Sequence, residues 1–141
     1  MRYRLVAVGR LRSAALRTAC DDYLGRLRRY AKVDEQEVKD AGRVLGAVPE
    51  EAQLVALTRK GEAWTSERLA QWTARWEREG RDVVFAIGGA DGLPAPVLRR
   101  APQAWSLSRL TFPHEVARVL VYEQLYRAYT IRRGEPYHRR T

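Results

Sequence analysis

The chain has 141 residues, which favours a single domain, and 45% of them are apolar, which excludes a chain that is disordered throughout. The formal net charge is +9, and it is unevenly distributed. Residues 2–32 carry nine Arg or Lys against two Asp, residues 33–55 carry two against six acids, and residues 127–141 carry five against one. This separation favours a polyanionic partner, RNA or DNA more than a membrane, although a solvated Arg-rich surface has the same composition.

The N-terminal segment and the cysteine content indicate where the protein works. The first apolar run is only five residues long before Arg10, which is too short for a signal-peptide core or a membrane span. Cys20 is the only cysteine, so the chain can form neither an intrachain disulfide nor a cysteine metal cluster. We therefore expect a soluble, cytoplasmic protein with no membrane partner and no metal.

Strand and helix patterns alternate along the first half of the chain. Short apolar runs predict strands, and apolar residues at helical spacing after Ser13 predict a helix that this serine caps. The predicted elements are a buried strand at 4–9, a helix from Ser13 to about Tyr30, an edge strand at 33–38, a loop or short helix at 40–52, a strand at 53–58 and a turn at 59–62.

The second half continues the alternation. Thr65 and Ser66 precede a helix that Gly80 ends, and the most apolar strand of the chain follows it. The predicted elements are a helix at 66–79, a strand at 82–87, a short helix opened by Pro94 and Pro96, a strand at 104–108 and a long helix from about Glu115 to Arg132. This order predicts one α/β domain with a mostly parallel sheet flanked by helices.

Three strand ends are candidates for a ligand site, because open α/β sheets bind ligands beyond the carboxyl ends of their strands. They lie at Leu57–Thr58, at residues 88–92 and at residues 107–112. The Gly-Gly-Ala-Asp-Gly sequence of 88–92 exposes backbone N–H groups to a ligand, but it is neither a dinucleotide-binding nor a Walker motif. A tight strand-to-helix turn is an equally simple interpretation.

The long helix is bracketed by the two histidines of the chain, His114 and His138. His114 follows Pro113 at the helix N-terminus, where the helix dipole disfavours a protonated ring; a plain capping role is the alternative. The helix is apolar on more than one face, which predicts burial against the sheet and against a second subunit. Its tyrosines at 122, 126 and 129 form a stripe that fits packing better than base stacking.

The C-terminal tail mixes Arg with Tyr137 and His138. Arg side chains contact phosphates, Tyr can stack on a base, and His can move a proton near neutral pH. A frayed basic end is the simpler alternative.

Three segments together resemble the ribosomal RNA large-subunit methyltransferase H family: IGGADGL at 87–93, WSLSRLTFPH at 105–114 and the run from Arg118 to His138. The resemblance covers the whole chain, and the ordered set of motifs is highly specific. It implies a SPOUT-class fold with a deep C-terminal trefoil knot. It also implies a homodimer that transfers a methyl group from S-adenosyl-L-methionine to N3 of a pseudouridine in 23S rRNA, in the helix 69 region, on the assembled ribosome.

The resemblance also assigns residues. The cofactor pocket would be lined by Leu57, Gly88, Leu107, Ser108, Arg109, Leu110, Thr111 and Phe112, and the catalytic positions near the target base would be His114, Arg127, Tyr137 and His138. The usual Gly-Gly-Pro-Glu-Gly loop has Ala90 and Asp91 here, so the loop keeps an acid but loses a proline. Two other functions remain open: a SPOUT enzyme that acts on another RNA, such as tRNA, and a non-catalytic ribosome-binding module.

Overall fold

The computed structural model describes residues 1–138. Arg139 and Arg140, which belong to the tail predicted to contact phosphates, lie outside the described residues. The strands are β1 (Arg2–Val8), β2 (Lys32–Val38), β3 (Gln53–Ala63), β4 (Val83–Ile87) and β5 (Gln103–Ser106). The helices are α1 (Ala14–Leu27), α2 (Ser66–Glu79), α3 (Ala95–Arg100) and α4 (His114–Arg132), and two short 3-10 turns, Ala41–Arg43 and Leu45–Ala47, precede β3. Each predicted helix and strand is present, with bounds that differ by a few residues.

The five strands form one sheet in the order β2-β1-β4-β3-β5, and all neighbouring strands are parallel. The prediction of a mostly parallel sheet flanked by helices is therefore confirmed. β4 lies at the centre and is buried along its whole length, as its uninterrupted apolar sequence requires. The trefoil knot that the family resemblance implies stays a prediction.

The two faces of the sheet are covered by different elements. Alternate residues of the central strands, such as Phe85 and Val84, point to opposite faces and belong to separate apolar clusters. Helices α1, α2 and α4 pack on the Phe85 face, which contains most of the aromatic core, including Tyr3 and Trp76. The 3-10 turns and α3 cover the Val84 face.

The helix ends follow from local chemistry. Ser13 Oγ accepts from the backbone N–H of Leu16 at 3.2 Å, and Thr65 Oγ1 accepts from that of Arg68 at 3.0 Å. Gly80 ends α2 in the left-handed conformation, with φ of 74°, which a residue with a Cβ atom adopts only at a cost. These contacts confirm the predicted start and stop signals of α1 and α2.

The prediction of a turn at 59–62 is wrong, because β3 continues through this segment to Ala63 and pairs again with β5. The register shifts between Leu57 and Glu62, which is an irregularity in the strand. Gly61 allows the close pairing: a Cβ atom there would lie 2.5 Å from the carbonyl carbon of Ala104. The polar residues of the segment therefore extend a strand past the end of its buried part.

Helix α4 packs between α1 and α2 over the sheet. Tyr122 and Tyr129 are buried and Tyr126 is half-buried, so within this chain the tyrosine stripe serves packing. Val116, Val119 and Leu120 remain only half-buried in the chain. Within residues 1–138, none of the helices combines the length and the apolar character that crossing a membrane requires.

Candidate functional site

A cavity of about 350 Å³ lies where β4 and β5 end, beside residues 57–60 at the irregularity of β3. Seven of the eight predicted cofactor-contacting residues line it: Leu57, Gly88, Leu107, Ser108, Leu110, Thr111 and Phe112. His114 lines it as well, whereas Arg109 is not among the lining residues. The cavity therefore brings together all three segments that the sequence indicated, although Leu57 and Thr58 lie within β3 and not at its end.

The glycine segment 88–92 forms one wall of this cavity as a closed turn. The backbone N–H of Gly92 donates to the carbonyl of Gly89 at 3.0 Å, and Gly92 has a φ of 74°. A Cβ atom on Gly88 would lie 2.4 Å from the carbonyl carbon of Gly92, so only glycine fits there without moving the backbone. The segment is thus both a tight turn and a wall of exposed main chain, and the two interpretations are compatible.

Another wall of the cavity is the loop after β5. Ser106 Oγ donates to the carbonyl oxygen of Ser108 at 3.0 Å, and Ser108 Oγ accepts from the backbone N–H of Leu110 at 3.0 Å. These bonds fix the loop locally. Leu110 is 69% exposed and forms an apolar rim, which is unusual for a leucine that only serves the core.

The cavity also has charged residues in its lining. Arg59, Lys60 and Asp91 line it together with the apolar residues and the main chain. Sequence reasoning did not assign these three to the site. Arg59 and Lys60 were missed because the segment that carries them was interpreted as a turn and not as the continuing strand β3.

His114 sits against the loop that follows β1. A Cβ atom on Gly9 would be 3.7 Å from His114 Cε1, so the ring lies beside Gly9. His114 Nδ1 is buried and has no hydrogen-bond partner in the described part of the chain. Pro113 occupies the helix cap without a side-chain hydrogen bond, so the capping interpretation of His114 finds no support in these contacts.

Two carboxylates hold the loop beside His114. Glu115 Oε1 accepts from the backbone N–H groups of Arg12 and Ser13 at 2.7 and 2.9 Å, and Glu37 Oε2 accepts from that of Leu11 at 2.9 Å. The hydrogen bond from Ser13 is the largest cause of a lowered pKa at Glu115. These carboxylates stay ionised, and they fix the wall against which His114 packs.

The tail brings three of the predicted catalytic residues together at the other end of α4. Arg127 Nη2 lies 2.6 Å from Glu123 Oε2, which also accepts from the Tyr137 hydroxyl at 2.9 Å. The Arg127 guanidinium carbon is 4.9 Å from the centroid of the Tyr137 ring, and Arg127 Nη1 is 3.5 Å from His138 Nδ1. Burial raises the pKa of Tyr137, so its hydroxyl is a donor near neutral pH.

The contacts of His138 determine which nitrogen is available. Its Nε2 lies 3.1 Å from Glu67 Oε1. The tautomer that satisfies both neighbours has Nε2–H donating to Glu67 and Nδ1 accepting from Arg127. In this tautomer the only lone pair of the ring is on Nδ1, and the Arg127 guanidinium occupies it. Glu67 and Glu123 were not predicted, since isolated Glu residues on helices carry no distinctive signal.

The two groups of predicted catalytic residues are separated within one chain. His114 begins α4 and Arg127 lies thirteen positions later, which corresponds to about 20 Å along the helix axis at 1.5 Å per residue. The tail residues Tyr137 and His138 gather around Arg127 and not around the cavity. One chain therefore contains a cavity with His114 and a distant cluster of Arg127, Tyr137 and His138.

Comparisons with known proteins agree with this architecture. A family model described as a predicted SPOUT methyltransferase matches residues 1–138. A protein of Sorangium cellulosum named ribosomal RNA large subunit methyltransferase H is 48% identical over 97% of this chain and 99% of its own. A protein of the same name from Anaeromyxobacter sp. strain Fw109-5 is 45% identical over 99% of this chain and 100% of its own.

A solved structure supports the fold independently of sequence identity. The probable methylase family protein from Haemophilus influenzae Rd KW20 matches with a TM-score of 0.62 at 9% identity, over 99% of this chain and 70% of its own. The chain belongs to the SPOUT methyltransferase family. The resemblance to proteins named ribosomal RNA large subunit methyltransferase H, on which the sequence interpretation depended, is confirmed over nearly the whole chain.

Proposed function

We propose that this protein methylates N3 of a pseudouridine in 23S rRNA, in the helix 69 region of the assembled ribosome, with S-adenosyl-L-methionine as the methyl donor. The observation that carries the proposal is the cavity beside β3 and beyond β4 and β5, lined by Leu57, Gly88 and most of the 107–112 loop. The names of the relatives support the rRNA substrate. Action on ribosomes implies a cytoplasmic location.

The cavity fits the proposed donor in size and chemistry. Its volume of about 350 Å³ is in the range of small-molecule sites. Leu57, Leu107 and Phe112 offer apolar surface for an adenine, and the main chain of the two walls offers hydrogen-bonding groups. Arg59 and Lys60 are suited to the carboxylate of the methionyl part. When bound, the sulfonium supplies an activated methyl group, so the protein residues need only prepare the nucleophile.

The nucleophile is the N3 anion of the base, and the tail cluster has the groups that would favour it. His138 Nδ1 accepts the N3 proton, directly or through a water molecule, after its contact with Arg127 is broken. Arg127 stabilises the developing negative charge, since its own charge is secure: burial lowers its pKa, but the contacts with Glu123 outweigh this and raise it. Tyr137 orients the base by stacking or by hydrogen bonding. His114 borders the cavity and completes its polar side.

The proposal includes a homodimer in which the tail of one copy serves the cavity of the other. The support is the separation of about 20 Å along α4 between His114 and Arg127 within one chain. The half-buried apolar residues Val116, Val119 and Leu120 are suited to contact a second subunit.

The alternative mechanism has no dedicated general base, and positioning of the substrate dominates. This mechanism would give a pH–rate profile that reports only the ionisation of the substrate.

Mass spectrometry of rRNA and tRNA tests the reaction. RNA is isolated from a strain in which the gene is deleted and from the same strain complemented with it. We expect one methyl-pseudouridine of 23S rRNA to be lost and restored. A change confined to tRNA would indicate a SPOUT enzyme with another substrate, and no change would favour a binding module. Equilibrium dialysis with S-adenosyl-L-methionine distinguishes an enzyme from a binding module, since a pure binding module has no reason to hold this molecule.

A further inference from the structure

We propose that a basic surface on α2 binds the phosphodiester backbone of the rRNA outside the catalytic cavity. This surface, the α2 basic face, consists of Arg68, Trp72, Arg75 and Arg78. The inference rests on the proposed function, because it assigns a second contact to the same RNA substrate. None of these residues contributes to the cavity or to the tail cluster described above.

The α2 basic face is organised around one indole ring. Its residues are spaced three or four apart, so they share one side of the helix. The guanidinium carbons of Arg68 and Arg75 lie 5.0 and 5.2 Å from the centroid of the Trp72 ring, which is only 9% exposed. Together with Gln71, Ala74 and Arg78, these side chains line a shallow depression of about 330 Å³. The stacked guanidinium groups are held in place, which reduces the entropy lost on binding a phosphate.

The charge of the surface is positive. Arg75 Nε lies 2.7 Å from Glu79 Oε1, and Arg68 Nη1 donates to the Gln71 side chain at 2.9 Å. Arg78 is exposed and has no acidic partner among residues 1–138. The other acids of α2 face elsewhere: Glu77 contacts Arg132 and Tyr129 of α4, and Glu67 contacts His138. Three arginines therefore share the surface with one carboxylate.

The location connects this surface to the tail cluster. Arg68 directly follows Glu67, the residue that contacts His138. From Arg68 to Arg78 the α2 basic face extends about 15 Å along the helix, which spans several phosphates of an RNA strand. An RNA whose target base lies at His138 can thus continue along α2. Arg forks bind phosphate oxygens in a bidentate manner, and their repetition along one face of the helix matches the repeated phosphates of a nucleic acid backbone.

The test compares two double variants. Arg75→Gln/Arg78→Gln removes one paired and one unpaired arginine from the α2 basic face. Arg43→Gln/Arg99→Gln is the matched control. It removes two arginines from the other face of the sheet, where Arg43 is paired with Asp40. Binding to ribosomes from the deletion strain is measured by filtration over a range of salt concentrations. We expect the α2 variant to bind about tenfold more weakly and to lower the salt slope by about 1.5, while the matched control stays near wild type.

Several results would overturn the inference. Equal behaviour of the two double variants would do so. So would an α2 variant that binds ribosomes weakly but binds free 23S rRNA normally, which would indicate a ribosomal protein as the partner. A reduced molecular mass of the α2 variant in light scattering would indicate a subunit contact. If the wild-type protein neither binds nor methylates ribosomes, the proposed function fails as well. If the wild-type protein does both and the α2 variant binds ribosomes equally well, this inference alone fails.

Discussion

Arg118 joins α4 to the edge strand β2 through Glu37, with Arg118 Nη1 2.7 Å from Glu37 Oε2. Arg118 Nη2 also lies 3.2 Å from Glu35, which accepts from the Tyr122 hydroxyl at 2.8 Å. The Arg118 side chain is only 1% exposed. Because Glu37 also accepts from the Leu11 backbone, the arginine helps to fix the loop against which His114 packs.

We expect Arg118→Met to destabilise the protein by about 3 kcal/mol, since it leaves two carboxylates without their buried partner. This corresponds to a fall in Tm of roughly 10 °C. Differential scanning calorimetry measures it. Arg43→Met is the matched control, because the ion pair of Arg43 with Asp40 is exposed on both sides, and this substitution should change the stability by less than about 1 kcal/mol. Equal effects of the two substitutions would contradict the account.

Gly88→Ala should abolish binding of S-adenosyl-L-methionine while the fold is retained. The added methyl group would meet the Gly92 backbone at 2.4 Å and displace a wall of the cavity. Isothermal titration calorimetry measures the affinity, and circular dichroism checks the fold. Gly25→Ala is the control: it has nothing within 4 Å in α1 and should stabilise the helix by about 0.5–1 kcal/mol. Normal donor binding by Gly88→Ala would show that this loop is not part of the site.

The fold was largely predictable because its signals are local. Apolar runs specify β1 and β4, and Ser13, Thr65 and Gly80 set helix ends through contacts within a few residues. The extension of β3 was not predictable, because it depends on Gly61 meeting Ala104 of a distant strand. Residues 59–62 are polar and contain glycine, which is typical of a turn, and only pairing with β5 makes them a strand.

The candidate site was predictable where it consists of motifs and not where it consists of tertiary contacts. The loops at 88–92 and 107–112 carry recognisable sequences, and both line the cavity. The group formed by Arg118, Glu35 and Glu37 joins α4 to residues more than 80 positions earlier, so no spacing rule indicates it. Likewise, the contacts of His138 with Glu67 and of Tyr137 with Glu123 arise only once the tail folds back on α2 and α4.

Low pH should lower the folding stability of the protein, partly through protonation of Glu77. Hydrogen bonding to Arg132 is the largest cause that holds the pKa of Glu77 below its usual value of 4.5. A carboxylate with a lowered pKa in the folded state stabilises the protein above the unfolded pKa, and this stabilisation is lost as the pH falls through the folded value. We expect the urea midpoint to decline between about pH 5 and pH 3, and Glu77→Gln to decline less steeply. An identical decline in both proteins would exclude a contribution from Glu77.

Cys20 should resist thiol reagents in the folded protein. It is fully buried, and this burial raises the pKa of its thiol to about 11. The thiolate is the reactive species, so at pH 8 labelling should require unfolding. A colorimetric disulfide reagent should therefore react slowly in buffer and stoichiometrically in urea. Rapid labelling of the native protein would show that α1 opens readily.

Mixing two inactive variants tests whether the donor cavity and the tail of different copies form one site. His138→Ala keeps the cavity, and Gly88→Ala keeps the tail. If the site is shared between subunits, the mixed dimer has one intact site, and methylation of ribosomes should recover to about a quarter of the wild-type rate after the subunits exchange. A mixture that stays as inactive as each variant alone, although light scattering and mass spectrometry show mixed dimers, would contradict the account.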